Sequence, residues 1–112
     1  MLFLQRFEVQ GRSMEPFYRD GDYVIALTET GVLSVGDTVV INKDGRNMLK
    51  RIAALPGEKA GSGTLGSAEY FVRSDNPTGT DSRQFGPVKK DEITGKVIWH
   101  IRKPRNSQPR RK

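Results

Sequence analysis

The sequence predicts a mainly β fold, a small coiled antiparallel sheet or barrel with little helix. Three observations support this. Short runs rich in β-branched and aromatic residues recur along the chain, and clusters of Gly, Asp, Asn and Pro separate them. No window keeps a helical spacing of apolar residues for three turns. An Asp-Gly pair also stands between two of the runs, as in a two-residue β-hairpin.

Six strands are expected from these runs. Their cores are residues 7–9, 22–27, 37–41, 47–54, 69–72 and 93–101. Turns are expected at residues 19–22, 43–46 and 56–58, and the Asp-Gly pair at 44–45 suits a type I′ turn. Residues 60–67 are rich in small residues and predict a loose, exposed loop.

Length and composition limit the classes of function. A chain of 112 residues predicts one domain, which we place at residues 1–101, and a packed core. The absence of cysteine excludes disulfides and thiolate metal sites, and a single histidine excludes a multi-histidine metal site. We therefore expect neither a metal nor an organic cofactor.

The net charge of +6 lies entirely in the last eleven residues. Residues 1–101 hold 13 basic and 13 acidic residues, so a nucleic-acid partner is not expected. Residues 102–112 add six basic residues, two prolines and no apolar side chain, which predicts a disordered tail. This tail is either a solubilising end or a peripheral contact with a membrane or an acidic partner.

No run of residues approaches the roughly 18 apolar residues that span a bilayer, and the apolar residues at the start are too few for a signal peptide. The sequence therefore predicts a cytoplasmic protein, with peripheral membrane attachment as the alternative.

Ser13 is the candidate nucleophile. It follows Gly11, whose lack of a side chain lets the backbone approach a substrate closely. A serine hydroxyl needs a base to attack a carbonyl, and a neutral lysine can replace histidine in that role. Because the chain's single histidine, His100, lies beside Trp99 near the end of the last predicted strand, a histidine-based triad is not expected.

Lys50 is the candidate base. Strand alternation sends it to the same face as Met48 and Ile52, toward apolar surroundings. Desolvation lowers the pKa of a buried lysine and makes the neutral amine abundant. Alternation alone also fits a lysine whose stem packs on the sheet while its ammonium reaches water.

A third segment, residues 74–88, is dense in residues that form side-chain-supported turns. Asp81 and Arg83 lie two residues apart within it. Charge-assisted hydrogen bonds between this pair are expected to clamp the turn.

Taken in order, the motifs of these segments resemble those of the signal peptidase I family, over residues 7–98. They are Ser-Met-Glu-Pro at 13–16, Asp-Gly-Asp-Tyr-Val at 20–24, Gly-Asp-Thr-Val-Val-Ile at 36–41, Leu-Lys-Arg-Ile at 49–52, Pro-Gly-Glu at 56–58, Asp-Asn at 75–76, Asp-Ser-Arg at 81–83, Phe-Gly-Pro-Val at 85–88 and Ile-x-Gly-Lys-Val at 93–97.

The resemblance implies a serine endopeptidase with a Ser/Lys dyad on a mostly β fold. Ser13 would be the nucleophile and Lys50 the general base. The backbone N–H of Ser13 would belong to the oxyanion hole, and Met14 to the substrate-binding surface. Asp81 and Arg83 would match a structural salt bridge near the active site.

The chain departs from the family pattern at several positions. The family often has a serine that orients the lysine where this chain has Gly79, and Thr80 is the expected substitute. Gly11 stands where a serine sometimes joins the oxyanion hole, and Ser74 replaces the usual glycine before Asp-Asn. These losses predict slow turnover. The family's membrane anchor and inserted subdomain are not expected in this chain.

The expected substrate is a precursor protein from which an N-terminal leader or propeptide is removed. In size and motifs the chain resembles the maturation proteases of nickel-type superoxide dismutase, so that enzyme's precursor is the candidate substrate. Two alternatives remain at this point. One is a self-cleaving regulator of the SOS-repressor type, and the other is a non-catalytic small β-barrel that binds a partner or nucleic acid.

Overall fold

The protein folds around a seven-stranded antiparallel sheet. The computed structural model describes residues 3–28 and 31–104. The sheet strands are β1 (Leu4–Glu8), β2 (Tyr23–Leu27), β3 (Thr38–Lys43), β4 (Arg46–Ala54), β7 (Glu69–Arg73), β8 (Val88–Lys89) and β9 (Ile93–Ile101). Their spatial order is β1-β2-β9-β3-β4-β7-β8, so the last strand enters the middle of the sheet. The predicted mainly β, antiparallel fold is confirmed.

Strands β3 and β4 form the hairpin that the Asp-Gly pair predicts. Lys43 pairs with Arg46 across a two-residue turn. Both turn residues have positive φ, 54° at Asp44 and 79° at Gly45, as a type I′ turn requires. This tight turn fixes the register of β4, which carries the candidate base.

The main core cluster lies on the face of β4 that contains Ile52. Its buried members are Leu33, Val39, Ile41, Ile52, Val72, Val88 and Ile93. Side chains alternate along β4, so that Lys50, Ile52 and Ala54 are all buried. The predicted burial of Lys50 is confirmed, and the alternative of a water-exposed ammonium is wrong.

Several short elements were not expected, and the two-residue strand β8 is one of them. A single helical turn, α1 (Ser82–Phe85), begins after Asp81, and a 3₁₀ turn covers Lys90–Glu92. The region predicted as a loose loop contains a two-stranded ribbon, β5 (Lys59–Ala60) and β6 (Gly63–Thr64). Each has too few residues for hydrophobic periodicity to reveal it.

The chain beyond β9 is described only to Pro104. Residues 102–104 are exposed and irregular, and the rest of the predicted basic tail lies outside the described residues. The boundary at residue 101 and the contacts of the tail therefore stay predictions. Within residues 3–28 and 31–104, no helix is long and apolar enough to cross a bilayer.

Candidate active site around Ser13 and Lys50

Ser13 lies on the turn-rich segment between β1 and β2. Gly11 has φ of 82°, a conformation that glycine adopts easily, and its N–H donates to Asp20 Oδ1 at 2.8 Å. Asn76 holds the same segment from the other side. Its backbone N–H donates to the Ser13 carbonyl at 2.8 Å, and its side-chain amide donates to the Arg12 carbonyl at 3.1 Å. The candidate nucleophile is thus fixed at both ends of its turn.

The backbone N–H of Ser13 has no hydrogen-bond acceptor among the described residues. The Ser13 side chain is half-buried and lines a groove open to solvent. A free N–H beside an accessible hydroxyl is the arrangement that stabilises the oxyanion of acyl transfer. This N–H is therefore free to donate to an oxyanion, and its role in an oxyanion hole stays a prediction.

Lys50 reaches Ser13 from β4. Its Nζ lies 3.2 Å from Ser13 Oγ and 3.2 Å from Ser74 Oγ, and only 3% of the residue is exposed. Burial lowers the pKa of Lys50 from the ordinary lysine value, while the negative charge of Asp81 raises it by a smaller amount. The result is a lysine whose neutral form is more accessible, within hydrogen-bond distance of a serine hydroxyl.

Asp81 is fully buried and accepts four hydrogen bonds. The Ser74 N–H donates at 2.7 Å and the Arg83 N–H at 3.0 Å, and the Arg83 guanidinium adds two bonds of 2.9 Å. Burial alone would raise the pKa of Asp81, but these hydrogen bonds and the charge of Arg83 lower it to about 2. Asp81 is therefore ionised at neutral pH and holds the segment that carries Ser74.

Ser74 is the residue beside the lysine that the sequence did not suggest. It is 6% exposed, and its hydroxyl donates to the Thr80 carbonyl at 3.1 Å. Thr80 contributes this backbone oxygen, and none of the hydrogen bonds seen in the described residues joins its side chain to Lys50. The structure thus corrects the expected substitution of Thr80 for the missing serine at Gly79. The Ser-Asp-Asn sequence at 74–76 was the available signal.

Met14 follows Ser13 in the same turn and is buried. Only 1% of it is exposed, and its sulfur accepts a hydrogen bond from the Asp75 N–H at 3.4 Å. Asp75 also binds the guanidinium of Arg51 through two bonds of 2.8 and 2.7 Å. Met14 borders the groove with almost no exposed surface, and its contact with Asp75 anchors the Ser13 turn to residues 74–81. Its part in substrate binding stays a prediction.

A groove of about 940 Å³ runs from Ser13 and Lys50 between β1 and the β3–β4 hairpin. One wall is β1, the edge strand of the sheet, and the other is formed by residues 46–50. The β4–β7 pairing begins only at Arg51, so among the described strands residues 46–50 pair with β3 alone. Two strand segments, each with an unpaired edge among the described strands, therefore line the groove. Its apolar lining includes Phe7, Val9, Met14, Val24, Val40, Met48, Leu49 and Phe85.

His100 belongs to a different part of the fold. Its Nε2 lies 2.8 Å from the buried carboxylate of Asp22, and its ring packs on Tyr18 with centroids 4.5 Å apart. It thereby joins the end of β9 to the start of β2. Across the described residues, no group of three or more His, Cys, Asp or Glu side chains could hold a metal ion.

The sheet and the Ser13–Lys50 contact define a small β-fold protein with the elements of a serine peptidase. The family model described as signal peptidase, peptidase S26, matches residues 1–61 and 59–101. The chain belongs to this family, as its motifs predicted, and the family supports serine peptidase activity. No curated protein matches the chain significantly.

Proposed function

We propose that the protein is a serine endopeptidase in which Ser13 is the nucleophile and Lys50 the general base. The observation that carries this proposal is the 3.2 Å contact between a buried lysine amine and a groove-facing hydroxyl. A buried lysine amine beside a serine hydroxyl is not expected to stabilise the fold, because burying an amine costs free energy. Family membership favours a peptidase over the self-cleaving regulator and the non-catalytic barrel.

The proposed reaction proceeds in two steps. Ser13 Oγ attacks the scissile carbonyl carbon while its proton passes to the neutral Nζ of Lys50. The oxyanion that forms accepts a hydrogen bond from the Ser13 N–H. Lys50 then gives this proton to the leaving amine as the C–N bond breaks, which leaves an acyl-enzyme. Water attacks the ester with Lys50 again as base, and the acid product and free Ser13 hydroxyl are released.

The groove supports an extended peptide as substrate. A chain lying between β1 and residues 46–50 would hydrogen-bond to both free strand edges and place alternate side chains against the groove lining. Met14 and Val24 border the groove and are almost completely buried, so a narrow apolar pocket that favours a small residue before the cut is part of this proposal. We propose that the substrate is a precursor with an N-terminal leader or propeptide, with the nickel superoxide dismutase precursor as the first candidate.

Incubation of the protein with that precursor tests the proposal. We expect one cut, located by intact mass spectrometry, that follows a small residue. Ser13→Ala should lower the rate by about 10⁴-fold or more, because a nucleophile knockout removes the covalent route. Ser67→Ala is the matched control, since Ser67 is exposed and makes no hydrogen bond among the described residues. Undiminished cleavage by Ser13→Ala would exclude Ser13 as nucleophile.

The pH dependence of cleavage is a separate expectation. Only the neutral amine of Lys50 can accept the Ser13 proton, so kcat/KM should rise tenfold per pH unit on the acid side. Because burial lowers the pKa of Lys50, the rise should level off below the ordinary lysine value of 10.5. The measurement is kcat/KM from pH 5 to 10 on a peptide without ionisable groups near the cut. A rate that falls between pH 6 and 9 would contradict this assignment.

A further inference from the structure

We propose that Ser74 is the residue that positions Lys50, and that position 79 is glycine because the Ser74 side chain fills the space into which a side chain there would project. The hydroxyl that orients the lysine would then belong to a pair of positions, 74 and 79, of which one supplies it and the other must leave room. This inference rests on the proposed function for its kinetic test, and it adds a positioning residue to that function.

The first argument is the direction of the hydrogen bonds. The hydroxyl of Ser74 donates its single hydrogen to the Thr80 carbonyl at 3.1 Å, so its oxygen faces Lys50 as an acceptor. A neutral amine has two N–H groups and one lone pair. If one N–H is held by Ser74 Oγ, rotation of the amine is restricted, and the lone pair can be directed at the Ser13 hydroxyl 3.2 Å away.

The second argument is that Ser74 is itself held rigidly. Its N–H donates to the buried carboxylate of Asp81 at 2.7 Å, and Asp81 is fixed in turn by Arg83. The hydrogen bonds from Ser74 to Asp81 and to the Thr80 carbonyl therefore fix the position of Ser74, while a third hydrogen bond joins its hydroxyl to Lys50. A hydroxyl placed this firmly can transmit its geometry to the amine.

The third argument is the space beside Gly79. A Cβ on Gly79 would lie 2.5 Å from Ser74 Oγ, 2.7 Å from Ser74 Cβ and 3.0 Å from Ser13 Cβ. The two distances to Ser74 are too short for non-bonded atoms, whereas the contact with Ser13 Cβ is tight and needs a shift of only a few tenths of an ångström. The φ of Gly79 is not in the left-handed region, so its backbone does not require glycine. The lack of room for a Cβ explains the glycine at position 79, and the atoms that take up this room belong to Ser74 and Ser13.

The same geometry shows that a side chain from position 79 would enter the site where Ser74 now stands. With glycine at position 74, a serine at position 79 would project its Cβ to within 2.5 Å of the vacated oxygen position. Rotation about the Cα–Cβ bond of this serine could then bring its hydroxyl close to the position that the Ser74 hydroxyl occupies. The two arrangements exclude each other, because both side chains cannot occupy the one volume.

The experiment compares five proteins on the same precursor: wild type, Ser74→Ala, Gly79→Ser, the double variant Ser74→Gly with Gly79→Ser, and Ser82→Ala. We expect Ser74→Ala to lower kcat on the order of 100-fold with KM nearly unchanged, since substrate contacts remain while the base is misplaced. Gly79→Ser should lose more activity and also melt at a lower temperature because of the overlap. The double variant should recover at least tenfold over Gly79→Ser.

Ser82→Ala is the matched control. Ser82 is as buried as Ser74 and also accepts a hydrogen bond in the same segment, from the Val72 N–H at 2.9 Å, but none of its contacts reaches Lys50. Its loss should lower the melting temperature without changing kcat. An equal fall in kcat for Ser82→Ala and Ser74→Ala, or a double variant no better than Gly79→Ser, would overturn the inference.

A titration keeps the inference separate from the proposed function. An acceptor hydroxyl favours the charged form of the amine, so its removal in Ser74→Ala should lower the pKa of Lys50, as followed by NMR of the labelled Cε. Ser82→Ala should leave that pKa unchanged. If wild type cleaves no precursor yet Ser74→Ala shows the shift, the proposed function fails and the positioning contact stands. An unchanged Lys50 pKa in Ser74→Ala overturns the contact itself.

Discussion

Replacing Lys50 by methionine is expected to abolish cleavage while the protein keeps or gains thermal stability. The loss of activity should reach about 10⁴-fold, because no other base among the described residues is hydrogen-bonded to the Ser13 hydroxyl. Methionine has nearly the length of lysine, and position 50 is buried on the same face of β4 as Ile52, so an apolar side chain suits it. The variant therefore separates the chemical role of Lys50 from any role in folding.

The expected gain in stability follows from proton linkage. The pKa of Lys50 is lower in the folded protein than in the unfolded chain, so the unfolded state binds more protons between that lowered value and 10.5. Stability due to Lys50 therefore rises with pH in this window. At neutral pH the buried lysine destabilises the fold. Its replacement by methionine removes this cost, which should raise the melting temperature by up to about 5 °C.

Calorimetry and a cleavage assay on the same preparation measure both effects. Lys59→Met is the matched control, because Lys59 is exposed on β5 and its replacement should change neither quantity appreciably. A melting temperature that falls by 10 °C in Lys50→Met would mean that the ammonium is held as a stabilising ion with Asp81. In that case Lys50 would be structural, and its assignment as base would be wrong.

The sequence predicts the part of this site that depends on regular structure. Alternation along β4 places Lys50 on the core side with Ile52, and an Asp-Gly turn fixes the register of that strand. Both features follow from local rules with a period of two residues. The fold class and the face of β4 that carries Lys50 could therefore be read from the residues, whereas alternation alone left open whether the amine is buried or reaches water.

The contact with Ser74 could not be predicted in the same way. Residues 74–81 form an irregular segment, whose path is set by the buried carboxylate of Asp81 and by the Asn76 bonds to the Ser13 turn. No periodic pattern encodes which of its hydroxyls reaches the lysine. Comparison with the family pattern pointed to Gly79 and Thr80, whereas the hydroxyl comes from a residue five positions before Gly79.

Asp81→Asn is expected to be the most destabilising single change near the site, with a loss of about 3 to 5 kcal/mol in the free energy of unfolding. Asp81 is a buried acceptor that receives the Ser74 and Arg83 N–H groups and the Arg83 guanidinium, and the Arg73 guanidinium lies 3.8 Å away. An asparagine amide would turn one of its own donors toward them and remove the charge. Asp91→Asn, at an exposed carboxylate, is the control.

The pH dependence of stability gives this prediction a second signature. The pKa of Asp81 is about 2 in the folded protein, below its ordinary value, so the unfolded chain takes up this proton first on acidification. The stabilisation, about 2 kcal/mol, is complete above pH 4 and is lost as the pH falls toward 2. Urea unfolding at pH 7, 4 and 2.5 should show the gap between wild type and Asp81→Asn narrowing only at the lowest pH. A constant gap across this range would mean that the carboxylate charge does not hold residues 74–81, and that the position of Ser74 beside Lys50 has another origin.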